Sequence, residues 1–382
     1  MWRAIIGLLL LIAIVFQSLS HSRAPGPPSQ PLDGPGGLRY SHAHMTKTRY
    51  GQGAQEYWVY EPDAPKPRTA PLIVFFHGWG GTNPAAYGAW LDHLVKRGNI
   101  VVYPRYQADL STSLEDFTPT VIEVVKDAIK RLQTEPGHVR PEIERFAVVG
   151  HSVGGLLTAN LAALAQKSGL PRVRALMSVE PGRTWNPIRR ANVPLADLKQ
   201  IPGQTLLLAV AGDSDNLARA TDAKRIYYES TQVPAANKDF VMLVSDQHGQ
   251  PNLKADHFAP VSPDKAYDNG ERPRENAGDT QRGGILRERV RERIQGRQQE
   301  RIGAKESKTG NGQLPSLLQA EPSALVNALD YYGLWKLFDA LCDAAFYSRN
   351  REYALGNTAR QRFMGTWSDG VPVKELIVTN KP

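Results

Sequence analysis

The 382-residue chain predicts an α/β fold, a mostly parallel central sheet with helices on both faces. Three observations carry that expectation. Short apolar runs of strand composition recur at Pro71 to Phe76, Phe146 to Val149, Thr205 to Ala211 and Phe240 to Val244. Helical periodicity separates them, most plainly in Glu115 to Gln133, where Val121, Val124, Val125, Ile129 and Leu132 share one face. The two patterns alternate, and strands joined through helices pair in parallel. The length suffices for one large domain with insertions.

Met1-Trp2-Arg3, the apolar run Ala4 to Phe16 and the small residues Ser18-Leu19-Ser20 have the layout of a signal peptide over 1–20. The apolar run is shorter than the roughly 20 residues a spanning helix needs, and an uncleaved anchor through residues 4–16 is the other reading. Residues 21–37 are rich in proline, glycine and serine and read as a linker. The domain, 38–382, begins near Leu38, with Tyr57 to Tyr60 an early strand and Ile100 to Tyr103 a later one. Phe146 to Val149 is followed by Gly150-His151-Ser152-Val153-Gly154-Gly155 and then by a helical stretch, Leu156 to Ser168. Val173 to Val179 is the next strand.

A serine on a sharp strand-to-helix turn is forced into an unusual backbone conformation that exposes its hydroxyl. Ser152 is therefore a candidate nucleophile, the other reading being a serine that caps a helix or a turn that holds phosphate. Pro71 to Phe76 empties into His77-Gly78-Trp79-Gly80-Gly81-Thr82, a loop able to bring a backbone amide close to a substrate. The expected oxyanion donors are the amides of Trp79 and Val153. The acid should follow a later strand and the base one later still. Asp215, in Gly212-Asp213-Ser214-Asp215-Asn216, is the chosen carboxylate, with Asp213 as alternative and Glu180, after Val179, a distant third. Both His248 and His257 follow the strand at Phe240 to Val244 and either can supply the base.

These motifs resemble the α/β-hydrolase superfamily of serine hydrolases, and within it the bacterial cutinase and polyester-hydrolase branch with dienelactone-hydrolase-like proteins. The resemblance rests on Gly150 to Gly155, on the turn at Asp215 with Ala218 soon after, and on His257-Phe258-Ala259-Pro260, which selects His257 as base. It also implies that Trp185 lines the pocket for the acyl or aryl group. The chain departs from that branch in its longer glycine-rich loop at His77 to Gly81, in its lone Cys342 and in more than 100 residues after His257.

Asp268 to Gln313 is crowded with arginine, glutamate and glycine, an insertion that is disordered, a lid or a surface for weak contact with anionic membrane. Much of the formal charge of +8 is local, and nucleic acid is not expected as a partner. Ala324 to Tyr347 reads as helix that docks back on the core, Cys342 as a buried small hydrophobe, and Leu376 to Val378 as a last edge strand. Neither a metal nor an organic cofactor is expected, because no histidine-carboxylate spacing or dinucleotide fingerprint is present. The sequence thus predicts a secreted or periplasmic serine hydrolase that cleaves small or polymeric carboxylic esters through an acyl-enzyme. A lipase or amidase with the same residues is the near alternative, and a catalytically silent surface-binding protein the distant one.

Overall fold

The computed structural model describes residues 24–182, 193–270 and 325–382. The calls on the signal at 1–20, on Trp185 and on most of the charged insertion at 268–313 lie outside them. Nine strands form one sheet in the order β1-β2-β4-β3-β5-β6-β7-β8-β9. They are β1 (His44–Tyr50), β2 (Tyr57–Asp63), β3 (Thr69–Phe76), β4 (Ile100–Pro104), β5 (Arg140–His151), β6 (Ala175–Val179), β7 (Leu206–Gly212), β8 (Lys238–Leu243) and β9 (Ile377–Thr379). The central six, β4 to β8 with β3, run parallel, and β1, β2 and β9 close the edges antiparallel. The α/β expectation therefore holds. So does the expected edge strand at Leu376 to Val378, shifted by one residue.

Successive side chains of a strand face opposite sides. In β3, Ile73 and Phe75 join a core with helices α1 (Gly88–Lys96) and α5 (Lys336–Tyr347), while Leu72 and Val74 join one with α2 (Phe117–Thr134), α3 (Val153–Leu164) and α4 (Thr221–Glu229). Because both faces are covered, both sets of side chains must be apolar, which is why these strands read as continuous hydrophobic runs. The helix expected over Glu115 to Gln133 is α2, its five predicted apolar residues all buried. Leu329–Trp335 is a π-helical turn that leads into α5, and a short helix, α6 (Ala359–Arg362), follows.

The linker expectation for 21–37 is corrected for its described part. Asp339 of α5, buried, accepts from the Gly36 amide at 2.7 Å and pairs with His93 Nε2 at 2.9 Å and Arg97 Nε at 3.0 Å. Gly26 N donates to Ser368 Oγ, and Gln250 N to the Pro25 carbonyl. Composition missed this because the segment is held by polar contacts to residues some 300 positions away, with Pro28 and Pro35 buried beside them. Burial pushes the Asp339 carboxyl up, but Arg97, His93 and the Gly36 amide outweigh it and hold it below the ordinary range.

Asp339→Ala leaves those donors facing one another without their anion. It should cost about 3–5 kcal/mol in chemical denaturation and make the segment before β1 the first site of limited proteolysis. A loss under about 1 kcal/mol with unchanged cleavage contradicts the anchoring role.

Candidate active site

The turn between β5 and α3 sets the site. Ser152 sits there at φ 57 and ψ −121, outside the regions a non-glycine residue ordinarily occupies. The turn is this tight because its neighbours lack side chains. A Cβ on Gly150 would lie 2.4 Å from the Gly154 carbonyl oxygen, and one on Gly154 2.2 Å from that of Phe76. Glycine at both positions lets α3 start directly against the end of β3.

Three sequence-predicted residues meet here. His257 Nε2 lies 2.9 Å from Ser152 Oγ, and His257 Nδ1 lies 2.9 Å from Asp215 Oδ2. The remaining Asp215 oxygen accepts from the amides of Leu217 at 2.8 Å and Ala218 at 2.9 Å. Burial raises the Asp215 carboxyl, yet the contact with His257 and these two amides prevail and keep it below the ordinary range. With Nδ1–H donated to that anion, Nε2 faces the hydroxyl as an acceptor, and the arrangement can take a proton from Ser152.

The alternatives go elsewhere. Asp213 accepts from the Ser245 amide at 2.9 Å and its hydroxyl at 2.5 Å, tying the loops after β7 and β8 together. His248 Nε2 lies 2.7 Å from Asp369 Oδ2, with its ring beside Trp367. Both residues are loop fasteners.

The loop after β3 is pinned group by group. Gly78 N donates to the Tyr87 hydroxyl at 2.9 Å, Gly80 N to Gln107 Oε1 at 2.9 Å and Gly81 N to the Gly78 carbonyl at 2.9 Å. The Tyr103 hydroxyl donates to the Gly81 carbonyl, and that of Tyr106 to the His77 carbonyl. His77 stacks on Tyr106 at 4.2 Å, and burial lowers its pKa to about 4 despite two carbonyls near its nitrogens. The amide of Trp79 alone in this run, Gly78 to Gly81, meets no acceptor among the described residues. The Val153 amide, first of α3, likewise meets none, as expected at a helix start. The loop touches the turn: a Cβ on Gly78 would lie 3.3 Å from that of Ser152.

Sequence reasoning gave no role to Tyr87 or His151 and ranked Glu180 third for the acid without its surroundings. The Tyr87 hydroxyl lies 2.8 Å from His151 Nδ1. His151 Nε2 lies 3.6 Å from Glu180 Oε2, which is 3.9 Å from His257 Nδ1. His151, Glu180 and His257 thus offer three ligand-type atoms within 4.8 Å of one another, a cluster that sequence spacing could not reveal. Both His257 nitrogens are already engaged, so the trio belongs to the surroundings of the base. Glu180 is fully buried with neither carboxyl oxygen hydrogen-bonded among the described residues. Burial, and then the charges of Asp215 and Asp256, push its pKa well above the ordinary range.

The mostly parallel sheet with Ser152 on the tight turn after β5 has the α/β-hydrolase fold, and what the chain is similar to includes an esterase. A sequence profile of the chlorophyllase family matches residues 44–194, which hold the Trp79 loop and the Ser152 turn and stop short of Asp215 and His257. Esterase LipI of Mycobacterium tuberculosis is 28% identical over 157 residues, 39% of this chain and 47% of that protein. The chain thus spans about half the length of that curated relative.

A carboxyl whose folded pKa is raised binds its proton more tightly folded than unfolded. Its stability contribution is full below the unfolded glutamate value and is lost as pH rises toward the folded one. Glu180→Gln removes that loss. Its thermal midpoint should exceed that of the unaltered protein by a margin that widens between about pH 5 and about pH 8. A margin that shrinks would mean that Glu180 is ionised and paired.

Proposed function

We propose that the protein is a serine esterase, cleaving carboxylic esters through an acyl-enzyme. The observation that carries this is the unbroken chain Asp215–His257–Ser152, two contacts of 2.9 Å, beside two amides that meet no acceptor among the described residues. His257 takes the proton from Ser152 Oγ as that oxygen attacks the ester carbonyl. Asp215 steadies the imidazolium so formed. The amides of Trp79 and Val153 hold the oxyanion, charge that develops only as the carbonyl becomes tetrahedral. On collapse His257 returns the proton to the departing alcohol. Water then follows the same course, activated by His257, and releases the acid.

The rim supports an apolar group on the substrate. Leu110, beside Gly80, is 43% exposed, and Leu217, two residues after Asp215, is 39% exposed. Trp79, stacked on Phe117 at 5.8 Å, and the half-buried Phe258 add aromatic surface. The apolar start at residues 4–16 supports export of the enzyme.

Fluorophosphonate labelling of the folded protein should vanish in Ser152→Ala; a folded protein that takes no label in either form refutes the esterase reading. With a nitrophenyl ester, Asp215→Asn should lower kcat on the order of 10³–10⁴-fold and His257→Ala at least as much. Asp213→Asn and His248→Ala should stay within about threefold, as changes remote from the reacting atoms do. A larger loss in either than in its counterpart reverses the assignment. Across nitrophenyl esters, kcat/KM should climb up to about fourfold per added methylene until the rim is filled. A flat profile would remove the apolar contact.

A further inference from the structure

We propose that His151 is a positioning residue which, through the Tyr87 hydroxyl, sets the place of the oxyanion loop relative to the nucleophile and the base. This rests on the esterase reading above. His151 is fixed at three points of the site at once. It precedes Ser152 in the turn, its ring lies 4.8 Å from that of His257, and its Nδ1 lies 2.8 Å from the Tyr87 hydroxyl. The Tyr87 hydroxyl in turn takes the Gly78 amide at 2.9 Å, one residue before the unpartnered amide of Trp79.

The direction of these bonds follows from counting protons. A phenol has one, its oxygen accepts from Gly78 N–H, and among the described residues His151 Nδ1 is its other partner, so the O–H finds its acceptor in that nitrogen. Neutral His151 then carries its proton on Nε2. That nitrogen faces Glu180 Oε2 at 3.6 Å, in a site where neither ring nor carboxyl is more than 2% exposed. The chain Gly78 N–H to Tyr87 O–H to His151 Nδ1 has one consistent sense and ends there, since Nε2 makes no hydrogen bond to Glu180 among the described residues. Burial, reinforced by the neighbouring His257, drives the His151 pKa well below the ordinary range, which keeps the imidazole neutral and that sense fixed.

A shift of Tyr87 or His151 would move the Trp79 amide relative to the developing oxyanion. It would leave the Ser152–His257–Asp215 contacts in place. Loss of the link therefore harms the transition state more than ground-state binding, and it does so without changing the titration of the base.

Tyr87→Phe in the full-length protein removes one oxygen and keeps the ring. At unchanged circular dichroism we expect kcat on a nitrophenyl ester to fall about tenfold to a hundredfold, below the loss for deleting an oxyanion donor outright. KM should move less than about threefold, and the pH dependence of kcat/KM should keep its midpoint. Affinity for a trifluoromethyl ketone, whose adduct bears an oxyanion, should fall with kcat. His151→Gln, whose amide oxygen can accept from Tyr87, should recover most of what His151→Leu loses. Wild-type kcat and ketone affinity in folded Tyr87→Phe overturn the proposal, as does a loss confined to KM. Nitrogen-15 spectra of the ring should report the proton of His151 on Nε2 whether or not the protein turns over ester. A proton on Nδ1 overturns the linkage itself, whereas absent turnover with the proton on Nε2 overturns the esterase reading.

Discussion

The site depends on one backbone constraint, the passage of the chain through Ser152 at φ 57. A conformation of this kind costs on the order of 1–3 kcal/mol and persists only when the surroundings over-determine it. They do so here. The Ser152 amide donates to the Val179 carbonyl at 2.9 Å, fixing the turn to β6, and Gly154 packs against the carbonyl oxygens of Phe76 and His77, fixing it to the end of β3. The position of Ser152 is thus defined by the three central strands together. The same contact brings the Trp79 loop to Ser152, so a single tight turn accounts both for the strained backbone of the buried Ser152 and for the loop that packs on it.

Around that turn lie more ionisable groups than a buried region holds comfortably. Asp215 is kept ionised by an imidazole and two amides, while Glu180, a few ångströms away, has only burial and negative neighbours and keeps its proton. The separation of the two pKa values gives the base one anionic partner instead of two. A second ionised carboxylate would set two like charges together in a buried site, whereas a single one pairs with the imidazole. His77 and His151, driven neutral by burial, add no positive charge that would disturb this balance.

The fold and the principal residues were legible because they obey local rules. The runs at Pro71 to Phe76 and Thr205 to Ala211 are apolar on both faces of the sheet, and the glycines about Ser152 mark the tight turn in the sequence itself, although part of what demands them, the end of β3, is distant along the chain. Order along the chain narrows the acid to Asp213 or Asp215 and the base to His248 or His257, and the resemblance carried by His257 to Pro260 selects His257. The β1 strand was missed because it is an edge, with a burial pattern of half-exposed and exposed residues and no hydrophobic run to mark it. Residues 24–37 read as a linker because their anchors, the buried Asp339 carboxylate and the contacts with Ser368 and Gln250, lie far along the chain and are invisible to composition. Tyr87 carried no signal at all. Its hydroxyl matters only because the loop it follows folds back over it, whereas His151 stood in plain view beside Ser152 and lacked only its partners.

The choice of Asp215 over Glu180 as the partner of His257 is decided by what each carboxyl can do with its second oxygen. Glu180 sits at φ 45 directly after β6, its side chain turned into the protein where Gly212 and Ala255 close round it and no amide is offered. Asp215 stands three residues beyond β7, far enough for the chain to turn and present the Leu217 and Ala218 amides to the oxygen that His257 does not use. An imidazole positioned at 2.9 Å from the solvated-like carboxylate and 3.9 Å from the orphaned one will share its proton with the first. The loop after β7 therefore supplies the ionised acid, and the end of β6 a neutral wall behind the base. This division of labour follows from where backbone amides are free to point, not from the difference between aspartate and glutamate.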